Sequence, residues 1–185
     1  MCDSPYEYVM RGEWEKADGS VNIHRTFFMR DLAYICRGLK HIYSGYDTLE
    51  SVFASGNVWD GIARFRAMLA QANNGDATRH ISSPDAVKGR PASACKRLHM
   101  MLRWLCRQDG IVDLGIWKNI SPASLMIPLD VHVSRISRQL GLLDRKQNDR
   151  RSVELLTEQL CILSPDDPVK YDFALFGIGV EEKNV

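Results

Sequence analysis

A single carboxylate stands where a proline-containing loop runs into a basic helical stretch, in the segment PLDVHVSRISRQLGLL. As the N-cap of that helix, Asp130 would accept hydrogen bonds from the first free backbone amides, which stabilises a helix by about 1 kcal/mol. The same amides and the helix dipole favour the ionised form of the carboxyl group. The sequence therefore allows two interpretations of Asp130: an ordinary helix cap, or a permanently charged carboxylate that takes part in catalysis.

The charges of this 185-residue chain are unevenly distributed around the aspartate, although the formal net charge is only +1. Residues 90–151 contain twelve Lys or Arg and five Asp or Glu, a balance of +7, and the rest of the chain contains twelve and eighteen, a balance of −6. A basic segment inside an otherwise acidic chain is typical of a face that binds an anion such as nucleic acid. Solvated helix faces scattered over the surface are the alternative explanation.

Several other classes of protein are disfavoured by composition and motifs. No run of 18 apolar residues is present, so no membrane span is predicted, and the first twenty residues lack the apolar stretch of a secretion signal. The five cysteines are scattered and form no CxxC pair. His132 lies two positions after Asp130 and so on another helix face, and we predict no metal site. We expect a cytoplasmic protein without a cofactor, nucleoid-associated if it binds DNA, and the sequence indicates no protein partner.

Helical periodicity dominates the chain and predicts an all-α fold, with residues 1–185 as a single domain. Residues 73–94 form a polar connection with several Gly and Pro residues. No segment shows the sustained alternation of a strand. Helices are expected at Asp31 to Gly45, Asp47 to about Ser55, about Asn57 to Gln71, about Ala94 to Arg107, Asp130 to Gly141, about Asp149 to Leu163, and Pro168 to Phe176.

The stretch IPLDVHVSRISRQLGL resembles the helix-hairpin-helix-GPD superfamily of DNA glycosylases. The superfamily's Asp-x-His-x-x-Arg pattern and Leu-Gly-Leu helix end are matched by Asp130, His132, Arg135 and Leu140-Gly141-Leu142. In that superfamily the aspartate is the catalytic carboxylate, so the resemblance implies this role for Asp130. Bifunctional members also carry a catalytic lysine near a Leu-Pro-Gly-Val-Gly hairpin. This chain lacks that hairpin and has Val112 at the usual lysine position.

The archaeal 8-oxoguanine glycosylases carry the lysine farther upstream, and Lys96, 34 positions before Asp130, resembles that arrangement. The run from Ala94 to Asp149, with DDPVKYDFALFGIGV, also resembles an uncharacterised bacterial family related to these glycosylases, over nearly the whole chain. This implies a helix-hairpin-helix glycosylase-like helical domain. Members usually have a further N-terminal helical segment, so a chain lacking N-terminal helices is expected. An iron–sulfur cluster is not expected, because only Cys161 follows Asp130.

The resemblance implies a DNA repair glycosylase with AP lyase activity on a damaged base, for example an oxidised purine, in double-stranded DNA. The Lys96 amine would attack the sugar C1′, expel the base and leave a Schiff base that permits strand cleavage. The amine must be neutral, which partial desolvation or the neighbouring cations Arg97 and His99 would favour. Asp130 would assist the lysine or stabilise the cationic sugar. Lys118 is the alternative nucleophile, and a solvent-exposed surface charge is the alternative interpretation of Lys96.

Within residues 90–151, the predicted DNA-facing and catalytic segment, further residues suit DNA. Trp104 and Trp117 are candidates for stacking on a flipped base, although tryptophans in helical domains are more often in the core. The glycines of DGIVDLG would let backbone amides approach a phosphate. Two other hypotheses stay open: a non-catalytic DNA-binding domain, and a truncated inactive remnant of the family. Phosphate contacts are predicted for Arg103, Arg107, Arg135, Arg138, Arg145 and Lys146, with a core carboxylate as the alternative partner of Arg135.

Overall fold

The computed structural model describes residues 4–87 and 89–181, which form a helical protein with one small β-hairpin. The predicted helical fold is confirmed. Single turns of 3-10 helix lie at Glu13–Lys16, Pro122–Ser124 and Pro168–Tyr171. The α-helices in this part of the chain are α1 (Pro5–Arg11), α2 (Met29–Gly45), α3 (Glu50–Phe53), α4 (Val58–Ala72), α5 (Lys96–Cys106), α6 (Val131–Gln139), α7 (Arg150–Leu163) and α8 (Asp172–Glu181).

Polar N-caps begin three of the helices as predicted. Asn57, Asp130 and Asp149 accept hydrogen bonds from backbone amides in the first turns of α4, α6 and α7. These bonds satisfy amides that have no partner within the helix. The helix expected to start at Asp31 begins two residues earlier, at Met29, as α2. Asp31 is instead the third helical residue, and its carboxylate accepts the N–H of Phe28 at 2.8 Å.

The β-hairpin and the C-terminal helix differ from the prediction. Strand β1 (Asn22–His24) pairs antiparallel with β2 (Phe27–Phe28), and Arg25 in the turn has a φ of 52°. Strands of two or three residues are too short to show an alternating pattern. The single helix predicted for Pro168–Phe176 is divided into a 3-10 turn and α8, which continues beyond Phe176.

The main hydrophobic core takes residues from every helix between α2 and α8. Helices α2 and α4 pack closely in it, since a Cβ on Gly38 would lie only 2.0 Å from Leu69 Cδ2. Any side chain at Gly38 would therefore separate the two helices. Ile42 on α2 and both Ile62 and Leu69 on α4 are completely buried. This packing supports the connection between α4 and α5, which leads to Lys96.

Helix α8 packs directly on α6. A Cβ on Gly179 would lie 2.8 Å from His132 Cβ, so the small residue permits the close approach. His132 Nδ1 lies 2.9 Å from Gly179 O, so His132 is hydrogen-bonded at this helix contact. None of the helices in the described residues has the length and apolar character needed to cross a membrane.

Candidate active site

Lys96 and Asp130, 34 residues apart in the chain, meet at the starts of two helices. Lys96 is the first residue of α5, and Asp130 is the N-cap of α6. Lys96 Nζ donates a hydrogen bond to Asp130 Oδ2 at 3.0 Å. Asp130 Oδ1 accepts the N–H groups of His132 and Val133 at 2.9 and 2.8 Å. The carboxylate therefore caps α6 and binds the lysine at the same time.

The ion pair lies at the boundary between the interior and solvent. The side chain of Asp130 is 9% exposed and that of Lys96 is 44% exposed. An ammonium group has three N–H donors, and a single carboxylate oxygen does not occupy all of them. The carboxylate is thus held in place by the protein, whereas the amine can be reached by a molecule bound at the surface.

The start of α5 is not one that helix stability alone would favour. Its first turn contains two cations, Lys96 and Arg97, and no acidic residue. Positive charge at a helix N-terminus is unfavourable by about 0.3–1 kcal/mol. Cys95, just before the helix, has a φ of 43°, a left-handed conformation that costs a non-glycine residue about 1–3 kcal/mol. Strained backbone of this kind concentrates at functional sites, and here it adjoins Lys96.

His99 does not act as the cation that was expected near Lys96. The residue is 1% exposed, and its ring lies edge-on to Trp59 with centroids 4.5 Å apart. Burial, and to a smaller extent the charge of Arg150, lowers the pKa of His99 to about 3. The imidazole is therefore neutral at physiological pH, and the expectation of a positive charge at His99 is wrong. Arg97, which follows Lys96 in the sequence, is exposed.

Two arginines that were predicted to contact DNA lie in an internal ion network. Arg103 is 1% exposed and binds both Asp113 and Asp172. Arg107 binds Asp113 and, at 2.9 Å, Asp167, and its side chain is 12% exposed. Because these guanidinium groups are directed at carboxylates inside the protein, the predicted phosphate contacts of Arg103 and Arg107 are wrong.

Asp172, the first residue of α8, connects this network to the candidate site. Burial raises the pKa of Asp172 to about 6, and the charge and hydrogen bond of Arg103 oppose this rise. The negative charge of Asp130 raises the pKa further, and the positive charge of Lys96 lowers it. Asp172 is thus electrostatically coupled to both members of the ion pair. Sequence reasoning did not select this residue. The sequence feature that could have pointed to Asp172 is an aspartate placed at the start of the apolar helix in DDPVKYDFALFGIGV.

Two further predicted DNA contacts on α6 are engaged by the protein itself. Arg135 Nη2 donates to Gly179 O on α8 at 2.8 Å. Arg138 donates to the backbone carbonyls of Arg145 at 2.6 Å and Lys146 at 2.9 Å, which holds the loop after α6. Both guanidinium groups therefore have structural roles in this conformation. Lys146 is exposed, and its phosphate contact stays a prediction.

The two tryptophans differ in exposure. Trp117 is 9% exposed and packs in the core against Phe53, with ring centroids 5.6 Å apart. Its predicted stacking on a flipped base is therefore wrong. Trp104 is 43% exposed. It follows Lys96 by eight residues on α5, which is about 12 Å along the helix axis, and its stacking role stays a prediction.

The glycine-containing loop DGIVDLG uses its backbone amides internally. Asp109 Oδ1 accepts the N–H groups of Ile111, Val112 and Asp113 at 2.9, 2.9 and 3.0 Å. These bonds, that from Ile111 first, lower the pKa of Asp109 to about 2. Amides that already donate to a protein carboxylate cannot also hold a phosphate, so the hypothesis of an anion site formed by these amides is wrong.

The alternative nucleophile, Lys118, lies elsewhere. It is exposed, and its Nζ donates to Gln108 Oε1 at 3.4 Å. Of the two candidate lysines, Lys96 is the one that the structure pairs with Asp130. Among residues 4–87 and 89–181, no group of three or more His, Cys, Asp or Glu side chains is arranged to hold a metal ion.

The fold and site define a helical protein with an accessible lysine–aspartate pair at two helix starts. Residues 1–181 match the family model described as "Protein of unknown function (DUF2400)", and the chain belongs to this family. No curated protein and no solved structure matches the chain. The family description names no activity, so function has to be derived from the site.

Proposed function

We propose that this protein is a DNA glycosylase with AP lyase activity, in which Lys96 is the nucleophile and Asp130 its partner carboxylate. The observation that carries the proposal is the 3.0 Å contact between Lys96 Nζ and Asp130 Oδ2. Schiff-base chemistry on a sugar needs an amine nucleophile with an acid–base group within hydrogen-bond reach, and this pair supplies both. The glycosylase-like spacing of the two residues supports the same roles.

In the free protein the Lys96 ammonium donates to Asp130, so the amine must lose a proton before it attacks. Asp130 Oδ2 is the acceptor already in contact with it. A DNA duplex covering the pair removes water, which disfavours both charged forms and promotes this transfer. The neutral amine then bonds to C1′ of the deoxyribose. The C1′–base bond breaks, and the base leaves with the bonding electrons and takes up a proton.

The adduct can then open to a Schiff base. The C1′–O4′ bond breaks, O4′ takes up a proton, the nitrogen loses one, and a carbon–nitrogen double bond forms. Loss of a C2′ proton expels the 3′ phosphate with the C3′–O3′ electrons, which cleaves the strand, and water releases Lys96. The proton that Asp130 took from Lys96 passes to the departing base, and the carboxylate, ionised again, stabilises positive charge on the sugar.

The proposed substrate is double-stranded DNA with a damaged base, and the resemblance favours an oxidised purine. The scaffold proposed for it is helix-hairpin-helix glycosylase-like, with Lys96 at the start of a helix. The +7 balance of residues 90–151 supports an anionic partner. Part of that charge is neutralised internally, since Arg103 and Arg107 are paired with carboxylates.

Borohydride trapping tests the nucleophile, because reduction converts a Schiff base into a stable protein–DNA adduct. The duplexes carry an abasic site, 8-oxoguanine, uracil or no lesion. We expect an adduct with the wild type and with Lys118→Gln, which is the matched control, and none with Lys96→Gln. An undiminished adduct with Lys96→Gln excludes Lys96 as the nucleophile.

The variant Asp130→Asn separates the two roles of Asp130. Asparagine is an equally good N-cap, so α6 keeps its start, but the negative charge beside Lys96 is lost. We expect adduct formation to slow by about 10²-fold or more, the usual contribution of a general acid–base group. An unchanged rate assigns Asp130 to helix capping alone.

A non-catalytic DNA-binding domain is the second candidate. It is favoured by the cap bonds from His132 and Val133, which account for Asp130 without any chemistry. Salt-sensitive duplex binding without base release or trapping on any duplex would support this candidate over the glycosylase.

A further inference from the structure

The connection between α4 and α5 lines a groove of about 700 Å³ that is separate from the Lys96–Asp130 pair. Three arginines line it: Arg66 from α4, and Arg79 and Arg90 from the connection. Asp85 is the only acidic residue among the described residues of the lining. The groove therefore has a surplus of positive charge, and two of its three arginines, Arg66 and Arg79, lie outside the basic segment 90–151.

Much of the donor capacity of these arginines is available to a ligand. Arg66 donates to a backbone carbonyl through Nε at 3.3 Å, and Arg79 donates to another through Nη2 at 2.9 Å. A guanidinium has five N–H donors in a planar fork, so these bonds leave others for an anion. The charge of Asp85 is offset by Arg150, whose Nη1 lies 3.2 Å from its carboxylate.

Three hydroxyl groups of the lining are set up to donate. Thr78 Oγ1, Ser83 Oγ and Ser93 Oγ each accept a hydrogen bond from the backbone N–H two residues later, at 3.2, 3.3 and 3.2 Å. A hydroxyl that accepts from the backbone keeps its own hydrogen for another acceptor. Guanidinium forks combined with hydroxyl donors match the oxygen atoms of a phosphate.

The wall of the groove leads directly to the candidate active site. Ser93 is three residues before Lys96, and three residues span at most about 11 Å. Cys95 lies between them; burial raises its thiol pKa to about 11, and the charge of Arg66 acts in the opposite direction, so Arg66 also lies near this junction. Nucleotides of one strand rise by about 3.4 Å each, so an anion here would be within about three nucleotides of Lys96.

We infer that this groove binds a phosphate group, held by Arg66, Arg79 and Arg90 with the hydroxyls of Thr78 and Ser93. Two sources of that phosphate fit the site. One is the backbone of a DNA strand whose sugar reaches the lysine, and this source rests on the proposed function. The other is a free phosphorylated small molecule, whose uncharged part would enter an adjoining cavity of about 170 Å³ that shares Arg66 with the groove.

The test compares binding of inorganic phosphate, by calorimetry, with binding of an abasic-site duplex, by fluorescence anisotropy. The variants are Arg66→Gln, Arg79→Gln and Arg90→Gln. Arg11→Gln is the matched control, because Arg11 is an exposed arginine of α1 outside the groove. We expect each groove variant to weaken phosphate binding about tenfold, as expected for a lost hydrogen bond to a charged group, and Arg11→Gln to leave it unchanged.

The duplex measurement identifies the source of the phosphate. If DNA supplies it, each groove variant also weakens duplex binding, and complete loss of this one phosphate contact lowers the magnitude of the slope of log affinity against log salt by about 0.9. If duplex binding is unchanged while phosphate binding is lost, the ligand is a free phosphorylated molecule. If the groove variants weaken phosphate binding but no duplex gives a borohydride adduct, the proposed glycosylase activity is rejected and the phosphate site in the groove is retained. Unchanged binding of both phosphate and duplex by all three variants overturns the inference.

Discussion

The two ends of α5 carry cations on the same helix face and use them differently. Lys96, Arg103 and Arg107 follow one another at spacings of seven and four residues, which places them on one side of the helix. At the start of α5, Lys96 meets the carboxylate of Asp130 and is 44% exposed. Toward the end, Arg103 is 1% exposed, and it shares Asp113 with Arg107, while Asp172 binds Arg103 and Asp167 binds Arg107. One face thus contains an open ion pair and a closed network.

The open Lys96–Asp130 pair and the closed network differ in what they contribute to the stability of the fold. Charges in the interior lose their hydration, and removal of one partner leaves another charge buried and unpaired. The network holds two arginines and three carboxylates, and burial raises the pKa of one of these carboxyl groups, Asp172, to about 6. In the Lys96–Asp130 pair the lysine stays 44% exposed and keeps much of its hydration, so the pair contributes about 0–1 kcal/mol, as ion pairs at the surface do. We infer that the network serves stability and that the open pair serves binding or catalysis.

Substitution within the closed network should have the largest effect. Arg103→Met leaves buried Asp172 without its paired cation and Asp113 with Arg107 alone, and we expect the free energy of unfolding to fall by about 3–5 kcal/mol. Lys96→Met, the matched change at the open end, should cost no more than about 1 kcal/mol. Urea unfolding of both variants measures the difference. Equal losses would mean that the two ends of α5 do not differ in this way.

The pH dependence of stability should identify Asp172 as the carboxyl group of the network with a raised pKa. The pKa of Asp172 is raised from 3.8 to about 6, so the folded protein holds its proton more tightly than the unfolded chain. The stabilisation is fully present below about pH 4 and is lost as the pH rises through about 6. This amounts to about 3 kcal/mol.

The variant Asp172→Asn provides the reference for that measurement, since an amide does not titrate. We expect the stability of the wild type, relative to the variant, to decrease between pH 4 and pH 7 in urea unfolding. Parallel curves for the two proteins across this range would show that Asp172 titrates normally.

At the open end, the two roles of Asp130 predict a smaller effect on stability. Asp130→Ala removes the cap of α6 and should cost about 1 kcal/mol, whereas Asp130→Asn should cost only a few tenths. Urea unfolding measures both. If the two variants lose the same free energy, the bonds to the His132 and Val133 amides do not hold the start of α6.

The helices were largely predictable because their ends are marked locally. Asn57, Asp130 and Asp149 are polar caps before apolar periodicity, and each begins a helix. The β-hairpin and the division before α8 were not predictable in this way. They involve segments of two to four residues, which are shorter than the periods on which the prediction depends.

The site was predictable in part. The resemblance of the Lys96–Asp130 arrangement to that of the archaeal glycosylases pointed to a pair that is in contact, although residue type alone did not distinguish an open cation from a buried one. Arg103 is buried because it binds Asp172, 69 residues later in the chain. A contact of that separation leaves no local pattern. The same limit applies to Trp117, whose core position depends on Phe53 in a distant helix.

Lys146 and Arg138 repeat the comparison of an open with a closed cation on a smaller scale. Both follow or end α6, but Lys146 is exposed, whereas Arg138 is hydrogen-bonded to the loop after the helix. Lys146→Gln should leave the unfolding free energy unchanged and reduce the salt slope of duplex binding by about 1, since an exposed lysine contributes one phosphate contact. Arg138→Gln should lower stability by about 1 kcal/mol, because it loses bonds to the carbonyls of Arg145 and Lys146. Salt titrations and urea unfolding on the same preparations measure both quantities. If Arg138→Gln changes the salt slope without changing stability, the guanidinium of wild-type Arg138 leaves the loop after α6 when DNA binds. Hydrogen bonds of an arginine within the free protein would then not predict a structural role.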